Sequence, residues 1–159
     1  MGGITGSAVV SPAVHRLELG EHTGTHVDAL NHMAREHRGQ SIDTMPLTMF
    51  YTEGICLDLS HKGRQELMEP ADLARALAVA GLEIKPGDTV LLYTDHYRRA
   101  FGTDDWHHGP GVSIDATRWL GQQQIAAFGV ETGRRVCATF RIGKCIIFVG
   151  NWALRIMRT

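Results

Sequence analysis

Between Glu21 and Met33 the chain reads EHTGTHVDALNHM, which puts His22, His26, Asp28 and His32 within one short stretch. Imidazole and carboxylate groups are the side chains that hold Zn(II), Mn(II) or Fe(II). If residues 22–28 are extended, alternate residues share a face. His22, Gly24, His26 and Asp28 then lie on one side, and Thr23, Thr25, Val27 and Ala29 on the other. Two imidazoles and a carboxylate would project together around a glycine that leaves room for an ion. A helix would also bring His22 and His26 together at i, i+4, but Gly24 and the β-branched Thr23, Thr25 and Val27 disfavour it. Three protein ligands leave coordination positions open, where bound water becomes a nucleophile near neutral pH. His32 lies four residues beyond Asp28, and a turn at Asn31 would bring it within reach as a general acid or base. His15, His37 and His61 have no such company and read as solvated polar residues.

These groups need a scaffold. Val14 to Leu19 alternates apolar and polar residues, which predicts a strand entering the His-rich stretch. Residues 33–49 are polar and turn-rich, an excursion over the surface. GICLDLS at 54–60, TVLLYT at 89–94 and IAAFGVE at 125–131 read as strands. EPADLARALAVAG at 69–81 predicts a helix, with Pro70 in its first turn, Leu73, Leu77 and Ala80 at helical spacing and Gly81 as the stop. SIDATRWLG at 113–121 predicts a second helix with Ser113 as N-cap. Strands alternating with helices imply a single α/β domain with a mixed sheet and flanking helices. From Arg134 the chain turns basic, without Asp, Glu or His. Residues 1–133 are therefore taken as the domain proper and 134–159 as a tail in which CIIFVG is a further strand.

Bulk properties narrow the field. The chain has 159 residues, enough for one domain with a sizeable core. Sixteen basic residues stand against 17 acidic ones, for a net charge of −1, so neither nucleic acid nor an anionic membrane is an expected partner. No apolar run approaches the ~18 residues of a membrane span, and no secretory leader is apparent. The three widely spaced cysteines, Cys56, Cys137 and Cys145, do not form a disulfide framework, which suits a reducing cytoplasm.

HTGTHVDALNH resembles the signature of the cyclase family of metal-dependent hydrolases, which includes bacterial kynurenine formamidase and isatin hydrolase. That signature reads His-x-Gly-Thr-His-x-Asp-x-Pro-x-His; His22, Gly24, Thr25, His26, Asp28 and His32 fall in place, and Leu30 replaces the proline. The resemblance runs on through GICLDLS, through IKPGDTVLLYTDHYRRAFGT, where Asp95 replaces a common glycine, and through GPGVSIDATRWLGQQQIAAFGVET. It implies an α/β fold, hydrolysis of aryl formamides or cyclic amides, and one or two divalent ions, Zn(II) or Mn(II). His22, His26 and Asp28 would be the ligands and His32 the acid or base. It also implies a homo-oligomer that shares active-site elements. The family carries a further His and a Glu or Gln after its Gly-Val-Asp-Thr strand. Here no His follows His108 and no acidic residue follows Glu131, so a truncated or diverged member is expected, its metal site limited to one ion or completed by another subunit.

Four residues are candidates for contact with the substrate: His96 at the end of a strand, Phe101 and Trp106 as stacking surfaces, and His107 with its neighbour His108. Two other readings use the same residues. His26 and Asp28 with His96 would make the two-His-one-carboxylate set of a non-haem Fe(II) oxygenase. Without completing ligands the chain would be a non-catalytic metal-binding or oligomerising relative.

Overall fold

A computed structural model describes residues 13–20, 22–33, 37–131 and 146–149. Its main sheet has five strands: β1 (His26–Asp28), β2 (Gly54–Asp58), β4 (Thr89–Tyr93), β6 (Ala127–Val130) and β7 (Ile146–Val149), in the order β1-β7-β6-β4-β2. β2, β4, β6 and β7 run parallel and β1 runs against them. The sheet is therefore mixed, as the alternating pattern predicts. The short β3 (Leu67–Met68) and β5 (Gly111–Val112) form a parallel pair of their own.

Helices follow their local signals. α2 (Pro70–Ala80) opens with Pro70, whose missing N–H costs nothing in a first turn. Asp72 Oδ2 accepts the Glu69 backbone N–H at 2.8 Å, which satisfies a donor the helix leaves free. Gly81 ends the helix at φ +65, a left-handed conformation that glycine adopts without a Cβ penalty. α4 (Ile114–Gln122) is capped by Ser113 Oγ, which accepts the Ala116 N–H at 3.0 Å. The same hydroxyl donates to Glu69 Oε2 at 2.7 Å, tying the two helix starts together.

Leu57, Val90, Leu92, Phe128 and Val130 of the sheet share one core with Leu73 of α2 and Leu120 of α4. Each fully buried side chain of this kind contributes about 1.5–3 kcal/mol. A second cluster joins Ala127 and Val27 to Leu30, Met45, Met49 and Phe50. It is covered by α1 (Leu30–Met33) and a 3₁₀ turn at Leu47–Phe50. Met45 is buried there, so the surface excursion at 33–49 also carries core.

Two expectations change. Val14 to Leu19 is not a strand: among the described residues no strand pairs with it, and Val14, Leu17 and Leu19 are 86%, 78% and 69% exposed. Alternation specifies a strand only where a neighbouring strand takes up its backbone groups. Ala80 is exposed, so the buried stripe of α2 is confined to Asp72 and Leu73, with Ala76 and Leu77 packed at the edge of the core. Within the tail from Arg134, Ile146–Val149 does form a strand, inserted between β1 and β6. Cys137 and Cys145 lie outside the described residues.

Candidate metal centre

Register places the His-rich stretch. His26 pairs with Val149, which pairs with Val130, then Leu92, then Leu57. Because β1 is antiparallel, its amino end meets the carboxyl ends of the four parallel strands. Open α/β sheets place their ligand sites at that edge.

Strand alternation explains only part of the site. β1 begins at His26; ahead of it Thr23 N–H donates to Gly20 O at 3.2 Å, closing a turn, and the chain bends at Gly24 and Thr25 into the strand. Gly24 has φ +73, which a residue with a Cβ adopts only under strain. Its role is therefore the bend that folds His22 back over β1, in addition to leaving space. His26 and Asp28 do share a face, two residues apart on the strand.

The folded turn brings three donor atoms together. His22 Nδ1 is 2.9 Å from His26 Nε2 and 3.2 Å from Asp28 Oδ1; His26 Nε2 is 3.6 Å from the same oxygen. Ligands at about 2.1 Å from one ion are separated by about 3.0 Å at right angles and about 3.4 Å in a tetrahedron. His26 Nδ1 donates to Gly24 O at 2.8 Å, so the neutral ring carries its lone pair on Nε2, toward the other two donors. A backbone carbonyl fixing the tautomer from behind is the usual arrangement of a ligating histidine. Donor types and spacings thus fit a divalent ion. His26 and Asp28 are mostly covered, at 16% and 13% side-chain exposure, whereas His22 is 49% exposed and leaves one side open.

His32 joins this group. The chain turns at Ala29, whose carbonyl accepts the His32 N–H at 3.0 Å, and α1 carries the imidazole to 4.6 Å from the His22 ring. Ligand atoms of His22, Asp28 and His32 all lie within 4.8 Å of one another. Four residues selected by spacing therefore converge, with His32 close enough to serve either as acid–base or as a further ligand.

The substrate-contact candidates gather elsewhere along the same edge, around α3 (His96–Ala100) and a 3₁₀ turn at Asp104–His108. His96 is buried and donates Nε2–H to Trp106 O at 3.0 Å, with the Trp106 ring stacked at 5.7 Å. Phe101 stacks on Tyr97 at 4.7 Å and meets the Trp106 ring edge-on at 5.4 Å, while remaining 61% exposed. His107 is exposed; its neighbour His108, with His96, lines a cavity.

Sequence reasoning missed the groups that hold this loop. Glu131, buried at the end of β6, accepts from Thr94 N–H at 2.8 Å, from His96 N–H at 3.1 Å and from the Thr94 hydroxyl, all through Oε2. Asp95 sits at φ +58 and is held by Tyr93 Oη–H at 2.7 Å and a two-point Arg98 contact at 2.8 and 3.0 Å. The guanidinium of Arg98 is the main reason its carboxyl lies below the usual range, and the bond to Asp95 pushes the Tyr93 phenol up to about 12. The signal was available: an acidic residue ending a strand, and an Asp where the resembling family has glycine.

An α/β domain with imidazoles and a carboxylate converging at the carboxyl edge of its parallel strands is the class that fold and site define. The chain belongs to the Cyclase family, whose model matches residues 4–134. Isatin hydrolase of Roseibium aggregatum is 29% identical over 124 residues, 71% of this chain and 47% of that protein. The chain thus spans about half the length of this curated relative. Isatin hydrolase A from Ralstonia solanacearum superposes with a TM-score of 0.71 at 28% identity, covering 82% of this chain and 59% of that one. A protein named as a predicted metal-dependent hydrolase from Bacillus stearothermophilus gives 0.62 at 28%, covering 85% and 63%. Among the described residues no helix is long and apolar enough to cross a membrane.

Proposed function

We propose that this chain carries the catalytic centre of a metal-dependent hydrolase of C–N amide bonds, with aryl formamides or cyclic amides such as isatin as substrates. The observation that carries this reading is the 2.9–3.6 Å convergence of His22, His26 and Asp28 donor atoms. Those three residues would hold Zn(II) or Mn(II), as one ion or as part of a two-ion site. When bound, such an ion supplies Lewis acidity and makes water nucleophilic near neutral pH. The protein's own groups supply the rest. Gly24 O orients the His26 ring, Asp28 contributes the negative charge, and exposed His22 leaves the centre open to substrate. His32 takes a proton from the attacking water and returns it to the departing nitrogen, a role worth about 10²–10⁴ in rate. Homo-oligomerisation belongs to the same reading, supported by the exposed Val14, Leu17 and Leu19; sedimentation velocity tests it.

The test is metal analysis after repletion, followed by hydrolysis assays on N-formylkynurenine and isatin. Stoichiometric metal and turnover are expected, both lost in His22→Ala and Asp28→Ala. A protein that holds no metal after repletion overturns the proposal, and so does turnover that survives Asp28→Ala.

A further inference from the structure

We propose that a cavity among the loops that follow β2 and β4 is a binding site for a small carboxylate. The cavity has a volume of about 220 Å³ and is lined by Arg64, His96, Arg99, Ala100, Asp105 and His108. It shares no residue with the His22–Asp28 cluster and does not depend on the hydrolase reading. It lies between the loops that follow parallel strands β2 and β4, at the edge where open α/β sheets bind ligands.

Its lining is rich in donors. The lining holds two arginines, Arg64 and Arg99, and one carboxylate, Asp105. Asp105 Oδ1 accepts Arg64 Nε–H at 3.1 Å, and among the described residues neither terminal nitrogen of Arg64 makes a hydrogen bond, so both are available to a ligand. That parallel pair of N–H groups matches the two oxygens of a carboxylate. Arg99 is anchored through Nε to Asp95 O at 3.2 Å and through Nη2 to Lys62 O at 3.1 Å and Thr94 O at 2.7 Å. Its Nη1 carries no hydrogen bond among the described residues.

The third donor is set by Gln65. This residue sits at φ +57, a strained conformation for a side chain larger than glycine. In that conformation it grips His108 twice: its backbone N–H donates to His108 O at 2.9 Å, and its amide nitrogen lies 2.7 Å from His108 Nδ1. An amide N–H can only donate, so His108 Nδ1 accepts and the proton of the neutral ring sits on Nε2. His108 therefore offers an N–H to the cavity, fixed by a contact across 43 residues of chain. Of the lining residues Arg64 is exposed at the rim, His96 is buried, and Ala100 is the one aliphatic side chain. A cavity of this size, below the ~300–1,000 Å³ of drug-sized sites, suits a carboxylate with a short or single-ring substituent.

Calorimetric titration of the full chain with sodium benzoate tests the assignment, with inorganic phosphate as the competing oxyanion. Saturable benzoate binding is expected, about tenfold weaker in Arg64→Gln and in His108→Phe. It should be unchanged in Asp28→Asn, which separates this site from the metal centre. Circular dichroism shows whether each variant is folded; where His108→Phe is not, Arg64→Gln alone decides, since Arg64 is a rim residue. No saturable binding, binding unaffected by Arg64→Gln, or binding lost in Asp28→Asn would each overturn the proposal. Phosphate binding as tightly as benzoate would overturn the choice of carboxylate.

Discussion

The backbone carbonyl of Gly24 accepts the Nδ1–H of His26 at 2.8 Å, and the same glycine, at φ +73, turns His22 back onto the strand that carries His26. One residue thus sets both the tautomer of one imidazole and the position of another. A Cβ at Gly24 would meet nothing within 4 Å, so the cost of replacing it is conformational, not steric. Gly24→Ala should weaken metal binding by roughly 5- to 30-fold, the equivalent of the ~1–2 kcal/mol of a left-handed alanine. Gly24→Asn, which tolerates that conformation better, should lose less. Competition titration with a chromogenic chelator measures both.

His26 and His32 both approach His22 and Asp28, but with different partners. His26 has its tautomer fixed by a carbonyl, whereas His32 makes its contact through a ring 4.6 Å from that of His22. The expected outcome is that His26→Ala loses metal, while His32→Ala keeps metal and loses about 10²–10⁴ in turnover. Equal loss of metal in the two variants would make His32 a ligand.

Asp95 occupies a left-handed position that favours glycine and holds it through Tyr93 and Arg98. In Asp95→Gly the relieved strain offsets the lost contacts, so stability should change by less than about 1 kcal/mol. The Tyr93 phenol, pushed up to about 12 chiefly by its bond to Asp95, should fall back toward the ordinary tyrosine value of 10.0. Ultraviolet titration of the phenol reads this directly.

A buried ion pair fastens the loop after β2 to α2. Lys62 Nζ lies 2.6 Å from Asp72 Oδ2 and 2.9 Å from Glu66 Oε1, and Lys62 and Asp72 are both buried. Burial opposes the charge on Asp72, but bonds from Lys62 and the Glu69 N–H outweigh it and lower its pKa. Burial likewise opposes the charge on Lys62, and its bonds to Asp72 and Glu66 raise the pKa. A depressed carboxyl contributes stability above its unfolded value of 3.8, lost as pH falls through the folded one; a raised ammonium contributes below 10.5, lost as pH rises through the folded one. Lys62→Met should therefore cost about 3–5 kcal/mol at neutral pH, and the gap from wild type should narrow below pH 3.8 and well above 10.5. Urea denaturation across pH tests it.

Glu131 holds Thr94 and His96 through one carboxylate oxygen. Glu131→Ala strands the two N–H donors and a hydroxyl, at about 1–3 kcal/mol each if water does not replace them. A loss of more than about 2 kcal/mol is expected, with Glu131→Gln milder because its carbonyl oxygen still accepts. Urea denaturation and the imidazole resonances of His96 report on stability and loop position.

By itself the sequence determined the donor types of the centre, the boundaries of α2 and α4 to within a residue or two, and most of the strands. These are local properties: Pro70, Gly81 and Ser113 act within one turn of chain, and the His-x-x-x-His-x-Asp spacing sets which groups travel together. Tertiary structure decided what those groups meet. A turn rather than an extended strand delivers His22, and Val14 to Leu19, patterned like a strand, finds no partner strand among the described residues. Glu131 reaches across 37 residues to Thr94, and Gln65 across 43 to His108. A hydrogen bond between residues far apart in the chain leaves no periodic trace in either segment, because each satisfies its local rules with or without the other.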